Sequence, residues 1–178
     1  LYRERSGRGK LRPRGIVAKM KSLSRNGVKL CYEDSGTRSA PVVFVHGWCC
    51  DHSHFAPQAG FFAKRHRVVS IDQRGHGESD KPVQEYTIEG FADDLAWLCR
   101  ELGLVRPALV GHSMGGAIAL AAAARHPDLA RAIALCDPAV IVPEGDAPSL
   151  MRTAAKARAA VGAVDWNVLC EPNVTLSM

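Results

Sequence analysis

The sequence predicts an α/β protein with a mostly parallel, doubly wound sheet, and three observations indicate it. Short, mainly apolar runs occur at residues 42–45, 67–71, 108–110 and 132–136, as expected for strands that are covered on both faces. Segments with helical periodicity separate these runs. Polar and glycine-rich residues follow the carboxyl ends of the runs, where open α/β sheets place their sites. Strands that alternate with helices form a parallel sheet.

The elements before and between these strands have their own markers. Asn26-Gly27 lies between two short alternating runs and predicts a hairpin over residues 23–34. The first crossover helix is expected within residues 51–64. Thr87 is a candidate N-cap for a helix that ends near Leu102, with Gly103 as the stop. An alanine-rich helix follows residue 116 and ends near Arg125, before Pro127.

Composition and charge favour one folded domain with a basic extension. The 178 residues are 47% hydrophobic and 23% charged, ordinary values for a globular protein. Residues 1–19 carry seven Lys or Arg and one Glu, a charge of +6. Because the whole chain has a net charge of +5, the remaining residues sum to −1. We expect a disordered extension at 1–19, a core at 20–142 and an incomplete insertion at 143–178. The near-neutral core predicts no nucleic-acid partner.

The residue types exclude several kinds of site. The six cysteines form no C-x-x-C pair and have no zinc spacing with histidine, which predicts no metal site. The glycine-rich turn at residues 72–79 lacks both phosphate-binding patterns, and we expect no cofactor. No apolar run is long enough to cross a bilayer, so no membrane partner is expected. Reduced thiols and the lack of an export signal predict a cytoplasmic protein, with Cys31, Cys99 and Cys136 as small buried hydrophobes.

The strongest candidate for chemistry is Ser113, which lies between a predicted strand and a predicted helix. Gly111 and Gly115 flank it in the pattern G-x-S-x-G, the nucleophile elbow. The tight turn needs glycines that have no Cβ to clash, and it forces the serine into a strained backbone that exposes its hydroxyl. The amide of Met114 then begins a helix, where it can stabilise an oxyanion. The structural alternative is that Ser113 is an ordinary helix N-cap.

Three motifs together resemble the α/β-hydrolase fold family. They are residues 42–48 (VVFVHGW), 72–79 (DQRGHGES) and 111–116 (GHSMGG), and the resemblance covers residues 23–142. It is strongest to the serine-nucleophile esterase, lactonase, C–C hydrolase and cofactor-free haloperoxidase branches. The resemblance implies that Ser113 is the nucleophile and that the amides of Met114 and Trp48 are oxyanion donors. It also implies that His46 and Gly47 shape the loop of the second donor, and that residues 72–79 support that loop.

The chain departs from this family's pattern after the nucleophile. The family order is Ser, then Asp or Glu, then His, but the only histidine after Ser113 is His126. His126 follows a helix of about a dozen residues, which places it about 18 Å from Ser113. The triad acid and base are therefore expected to be missing, and a cap insertion to begin at residue 143. We expect the N-terminal portion of a longer hydrolase, truncated before the last strands, or a truncated reading frame.

Three hypotheses for function follow. The first is a serine hydrolase of small esters or related carbonyl compounds, impaired in this chain because the acid and base are missing. The second is a non-catalytic homologue that binds a small ligand. The third is a non-functional fragment with an exposed sheet edge. The sequence identifies neither the substrate nor the oligomeric state.

Overall fold

The protein is built on one six-stranded sheet in the order β1-β2-β4-β3-β5-β6. The computed structural model describes residues 19–36, 40–139, 152, 155 and 156. Strands β1 and β2 run antiparallel to their neighbours, and β3, β4, β5 and β6 are parallel. This confirms the predicted α/β class. The strands are β1 (Lys21–Arg25), β2 (Val28–Ser35), β3 (Val42–Val45), β4 (Val68–Asp72), β5 (Ala108–His112) and β6 (Ala132–Cys136).

The first two strands form the predicted hairpin. Asn26 and Gly27 connect them with φ values of 51° and 79°. Two consecutive positive φ values are typical of the type I′ turn, which matches the twist of the flanking strands. Arg25 pairs with Val28 directly across the turn.

The helices alternate with the parallel strands along the chain, as predicted. They are α1 (Ala56–Phe62), α2 (Ile88–Glu101) and α3 (Met114–Arg125). Thr87 caps α2, because its side chain accepts a hydrogen bond of 3.0 Å from the Gly90 amide. The segment predicted as the first crossover helix differs in detail, since it opens with a 3₁₀ turn at His52–Phe55. The Asp51 side chain caps that turn by accepting from the Ser53 amide, at 2.8 Å.

The strands divide their side chains between two cores by strict alternation. In β3, Val43 and Val45 face α2 and α3, whereas Val42 and Phe44 face α1. Each buried side chain of this size contributes about 1.5–3 kcal/mol through the removal of apolar surface from water. The cores hold the carboxyl ends of β3 and β5 side by side, where the predicted site residues lie.

The structure tests some of the remaining predictions. Cys31 and Cys99 are buried as expected, but Cys136 is only half-buried, because β6 pairs with a described strand on one side alone. Most of the predicted extension at 1–19 and of the insertion at 143–178 lies outside the described residues. Arg152, Ala155 and Lys156 have helical backbone. No described helix is long and apolar enough to cross a membrane.

Candidate active site

Ser113 occupies a strained turn between β5 and α3. Its backbone angles are φ 52° and ψ −121°, a combination that L-residues rarely adopt and that adds about 1–3 kcal/mol of strain. Its N–H donates to the carbonyl of Cys136 at 3.0 Å, and its carbonyl accepts from Gly116 and Ala139 at 2.9 and 3.0 Å. The serine side chain makes no capping hydrogen bond to its own helix. Ser113 therefore does not act as an ordinary helix N-cap.

The two glycines of the motif are required by close backbone packing. A Cβ at Gly111 would overlap the backbone of Gly115, and a Cβ at Gly115 would overlap the carbonyl groups of Val45 and His46. The helix begins so close to the end of β3 that no side chain fits between them. This approach brings the loop that follows β3 against the elbow.

The loop of His46, Gly47 and Trp48 lies directly beside Ser113. A Cβ at Gly47 would lie 3.2 Å from the Cβ of Ser113 and 3.2 Å from the Nδ1 atom of His112. Met114 is the first residue of α3, a position whose amide has no acceptor within the helix. The structure thus brings together all five predicted site residues. Donors at a helix start and on an adjoining loop can stabilise negative charge that develops on a bound carbonyl oxygen.

His46 connects this loop to the turn after β4. Its Nδ1 lies 2.8 Å from the carbonyl of Gly47, and its Nε2 accepts a hydrogen bond from the Gln73 amide at 3.3 Å. These partners select the neutral tautomer with the proton on Nδ1. Burial lowers the pKa of His46, which also favours the neutral ring. The Gln73 side-chain amide donates to the His46 carbonyl at 2.8 Å, so Gln73 holds the loop at two points.

Asp72 is a buried carboxylate that organises the same region. It accepts hydrogen bonds from the amides of His52 and Glu78 and lies 2.9 Å from the His52 ring. Burial alone would raise the pKa of Asp72, but these hydrogen bonds outweigh it and hold the pKa below its usual value. In return, the Asp72 hydrogen bond raises the pKa of His52. These contacts agree with the supporting role expected for the turn.

The histidines of the chain have partners other than the serine. The seven histidines are all described, and no hydrogen bond joins any of them to Ser113 within the described part of the chain. His54 and His112 stack on each other with ring centres 4.7 Å apart. His126 follows the last residue of α3 and contacts Asp93 at 2.9 Å, as expected for a helix-end residue.

Two polar residues near the site were not predicted. Gln73 directly follows β4, a position that could have drawn attention to it, but nothing in the pattern specifies its partner. Asp94 lies on the apolar face of α2 beside Leu95, and its carboxylate contacts Arg25 and Arg74. A single buried polar residue produces no periodic pattern, so the sequence alone does not reveal these contacts.

Comparison with known proteins identifies the family. The family model described as "alpha/beta hydrolase fold" matches residues 40–167, which is most of the chain. The chain belongs to the α/β-hydrolase fold family. The relatives that this chain matches include named hydrolases.

Several relatives of this α/β-hydrolase chain illustrate the range of the family. It is 40% identical over 96 residues to 2-(acetamidomethylene)succinate hydrolase from Mesorhizobium japonicum, covering 54% of this chain and 34% of that protein. It is 36% identical to epoxide hydrolase 3 from Xenopus tropicalis, covering 60% of this chain and 30% of the relative. A thermophilic esterase from Thermogutta terrifontis superposes with a TM-score of 0.65 at 34% identity, covering 79% and 53% of the two chains. The chain thus spans about a third of the length of these curated relatives.

Proposed function

We propose that this protein is a serine hydrolase that acts on small esters or related carbonyl compounds through an acyl-enzyme at Ser113. The observation that carries the proposal is the strained backbone of Ser113, with φ 52° and ψ −121°, beside the Gly47 loop. Strain of this kind persists only where the surrounding structure enforces it, and it is concentrated at functional sites.

In the proposed reaction, the Oγ atom of Ser113 attacks the carbonyl carbon of the substrate. The carbonyl oxygen becomes an oxyanion, which accepts hydrogen bonds from the amides of Met114 and Trp48. Collapse of the tetrahedral species expels the alcohol, which carries away a proton in place of the one that the Ser113 hydroxyl lost. It leaves an ester on Ser113, which water then hydrolyses. His46 and Gly47 position the Trp48 amide. Gln73 holds this loop at His46, and Asp72 holds the amide of His52, which follows the loop in the chain.

A serine at position 113 distinguishes acyl transfer from other reactions of the family. The relatives include both an epoxide hydrolase and an esterase, so similarity alone does not specify the bond that is cleaved. A serine favours attack on a carbonyl group, because collapse of the adduct releases an alcohol and regenerates a carbonyl group.

We further propose that this chain by itself turns over slowly. No described histidine is hydrogen-bonded to Ser113, so the hydroxyl lacks the general base that would take its proton. An oxyanion hole with substrate binding but without the triad retains about 10³–10⁴-fold acceleration over water, far below an intact triad. The same observation favours the second candidate function, a non-catalytic homologue that binds a small ligand.

The test is hydrolysis of p-nitrophenyl acetate by the purified chain, with mass spectrometry of the acylated protein. We expect slow hydrolysis and acetyl transfer to Ser113. Ser113→Ala should lose the acetyl transfer but keep the slow hydrolysis, which needs only the oxyanion hole and substrate binding. Ser24→Ala, which changes an exposed serine on β1, is the matched control and should behave as the wild type. Acetylation that is absent from Ser113 in the wild type, or undiminished in Ser113→Ala, would overturn the proposed nucleophile. Rapid enzyme-like turnover that depends on Ser113 would overturn only the proposed impairment, and ligand binding without acylation would favour the second candidate.

A further inference from the structure

Two adjacent thiols lie on the turn that carries Trp48. The Cys50 amide donates to the Gly47 carbonyl at 3.3 Å and closes a turn over residues 47–50. Cys49 has φ 57°, in the left-handed region, and its side chain is exposed, whereas Cys50 is half-buried. Both are free cysteines. The turn therefore carries two consecutive cysteines next to the candidate active site.

Adjacent cysteines are poorly suited to a disulfide with each other. Consecutive Cα atoms are about 3.8 Å apart across a trans peptide, whereas disulfides usually join Cα atoms about 4.4–6.8 Å apart. A direct S–S bond would therefore be strained. A third atom that bonds to both sulfur atoms forms a larger ring and relaxes this constraint. Thiolates are soft ligands, so the bridging atom should be a soft electrophile.

The other described cysteines do not offer such a pair. Burial raises the pKa of the Cys31 thiol, which donates to the carbonyl of Glu78 at 3.1 Å. Burial raises the pKa of Cys99 to about 12, so its thiol stays protonated and inert. Cys136 belongs to β6 and is separated in sequence from any other described cysteine. The vicinal pair differs from these three in being adjacent, and Cys49 is the one exposed cysteine among those that the structure describes.

We propose that Cys49 and Cys50 form a two-thiol binding site for trivalent arsenicals. With an organic arsenic(III) oxide, two As–S bonds form and the As–O bonds break, and the oxygen leaves as water with the two thiol protons. Arsenic stays trivalent and no electron donor or acceptor is needed. The ring that results lies on the turn after Gly47, so the bound arsenical lies beside Trp48, whose side chain is 60% exposed.

The test uses phenylarsine oxide and the full chain, followed by intact-mass measurement and counting of free thiols. We expect one arsenical per chain, with two thiols protected, and release by a dithiol but not by a monothiol. Cys49→Ser and Cys50→Ser should each weaken binding about a hundredfold or more, because the second As–S bond would no longer be intramolecular. Cys170→Ser, outside the described residues, is the control and should bind as the wild type does.

Binding should also change the emission of the indole next to the site. We expect phenylarsine oxide to alter tryptophan fluorescence in the wild type but not in Trp48→Phe, although both retain the thiol pair. Binding that a dithiol does not reverse would overturn the proposal. So would binding of wild-type affinity in Cys49→Ser or Cys50→Ser. Loss of binding in Cys170→Ser would overturn it as well. These readouts need no hydrolysis, so they are independent of the proposed activity of Ser113.

Discussion

Asp94 shows how one residue can join separate parts of the fold. Its side chain is buried, with a relative exposure of 4%, and lies 2.6 Å from Arg25 Nη1 and 2.7 Å from Arg74 Nη2. Arg25 ends β1, Arg74 follows β4, and Asp94 lies in α2. The carboxylate therefore connects the hairpin, the turn that supports the candidate site, and a helix of the core.

Replacing Asp94 tests how much the fold depends on this cluster. Asp94→Asn would leave two arginines without their counter-charge in a largely buried position, so we expect a loss of about 3–5 kcal/mol in the free energy of unfolding. Asp93→Asn is the matched control on the same helix. The Asp93 side chain is 29% exposed where it contacts Arg125. Asp93→Asn should therefore lower the free energy of unfolding by at most about 1 kcal/mol. Urea titrations give both values, and similar losses for the two variants would contradict the buried-cluster explanation.

His52 predicts a pH dependence of stability. The hydrogen bond that the His52 ring donates to Asp72 raises the pKa of His52, so the folded protein holds the proton more tightly than the unfolded chain does. This contribution is complete below the unfolded pKa of about 6.5, and it is lost as the pH rises through the higher folded pKa. His52→Asn retains a hydrogen-bond donor but cannot take the charge. In urea titrations, the stability difference between wild type and His52→Asn should shrink as the pH rises, and a constant difference would refute the prediction.

At the scale of elements, the junction of β5 with α3 sets the geometry of the site. Gly115→Ala would force a Cβ against the carbonyl groups of Val45 and His46. Overpacking against backbone typically costs about 1–3 kcal/mol, occasionally more, and this site lies at the upper end because two rigid groups are involved. We expect lower thermal stability and weaker acylation of Ser113, because the loop after β3 must move away.

Gly60→Ala is the matched control for this substitution. Gly60 lies inside α1, and a Cβ added there would meet no neighbouring group within 4 Å. Alanine there should stabilise the protein by about 0.5–1 kcal/mol, since glycine is the poorer helix former. Thermal unfolding measures both effects, and the explanation fails if the two variants shift the midpoint in the same direction.

The elements were largely predictable because each one has a local cause. The turn at Asn26-Gly27, the Thr87 cap and the glycine pattern around Ser113 all specify backbone geometry through nearby residues. The partners of Gln73 and Asp94 were not predictable, because a buried polar side chain is explained only by groups that are distant in sequence. The 3₁₀ turn before α1 was missed for a different reason, since helical periodicity over four residues does not separate it from an α-helix.

At the scale of the whole molecule, the sheet should be protected most strongly at its centre. β4, β3 and β5 have described strands on both sides, whereas β1 and β6 each pair with one described strand. Amide hydrogens with few buried neighbours exchange through local opening. We therefore expect the slowest hydrogen exchange in β4, β3 and β5, and faster exchange in β1 and β6. Exchange measured by NMR tests this, and equal protection of β5 and β6 would contradict it.

The enforced conformation of Ser113 has a consequence for how the molecule could be redesigned. Glycine accepts positive φ without penalty, so Ser113→Gly should unfold at a higher temperature than Ser113→Ala, although both lack the hydroxyl. Removing the side chain from a residue with positive φ should lower the strain energy by about 1–2 kcal/mol. Glycine would be the expected residue at this position if thermal stability were the only requirement. If Ser113 is the nucleophile as proposed, its hydroxyl is held in place at the expense of thermal stability.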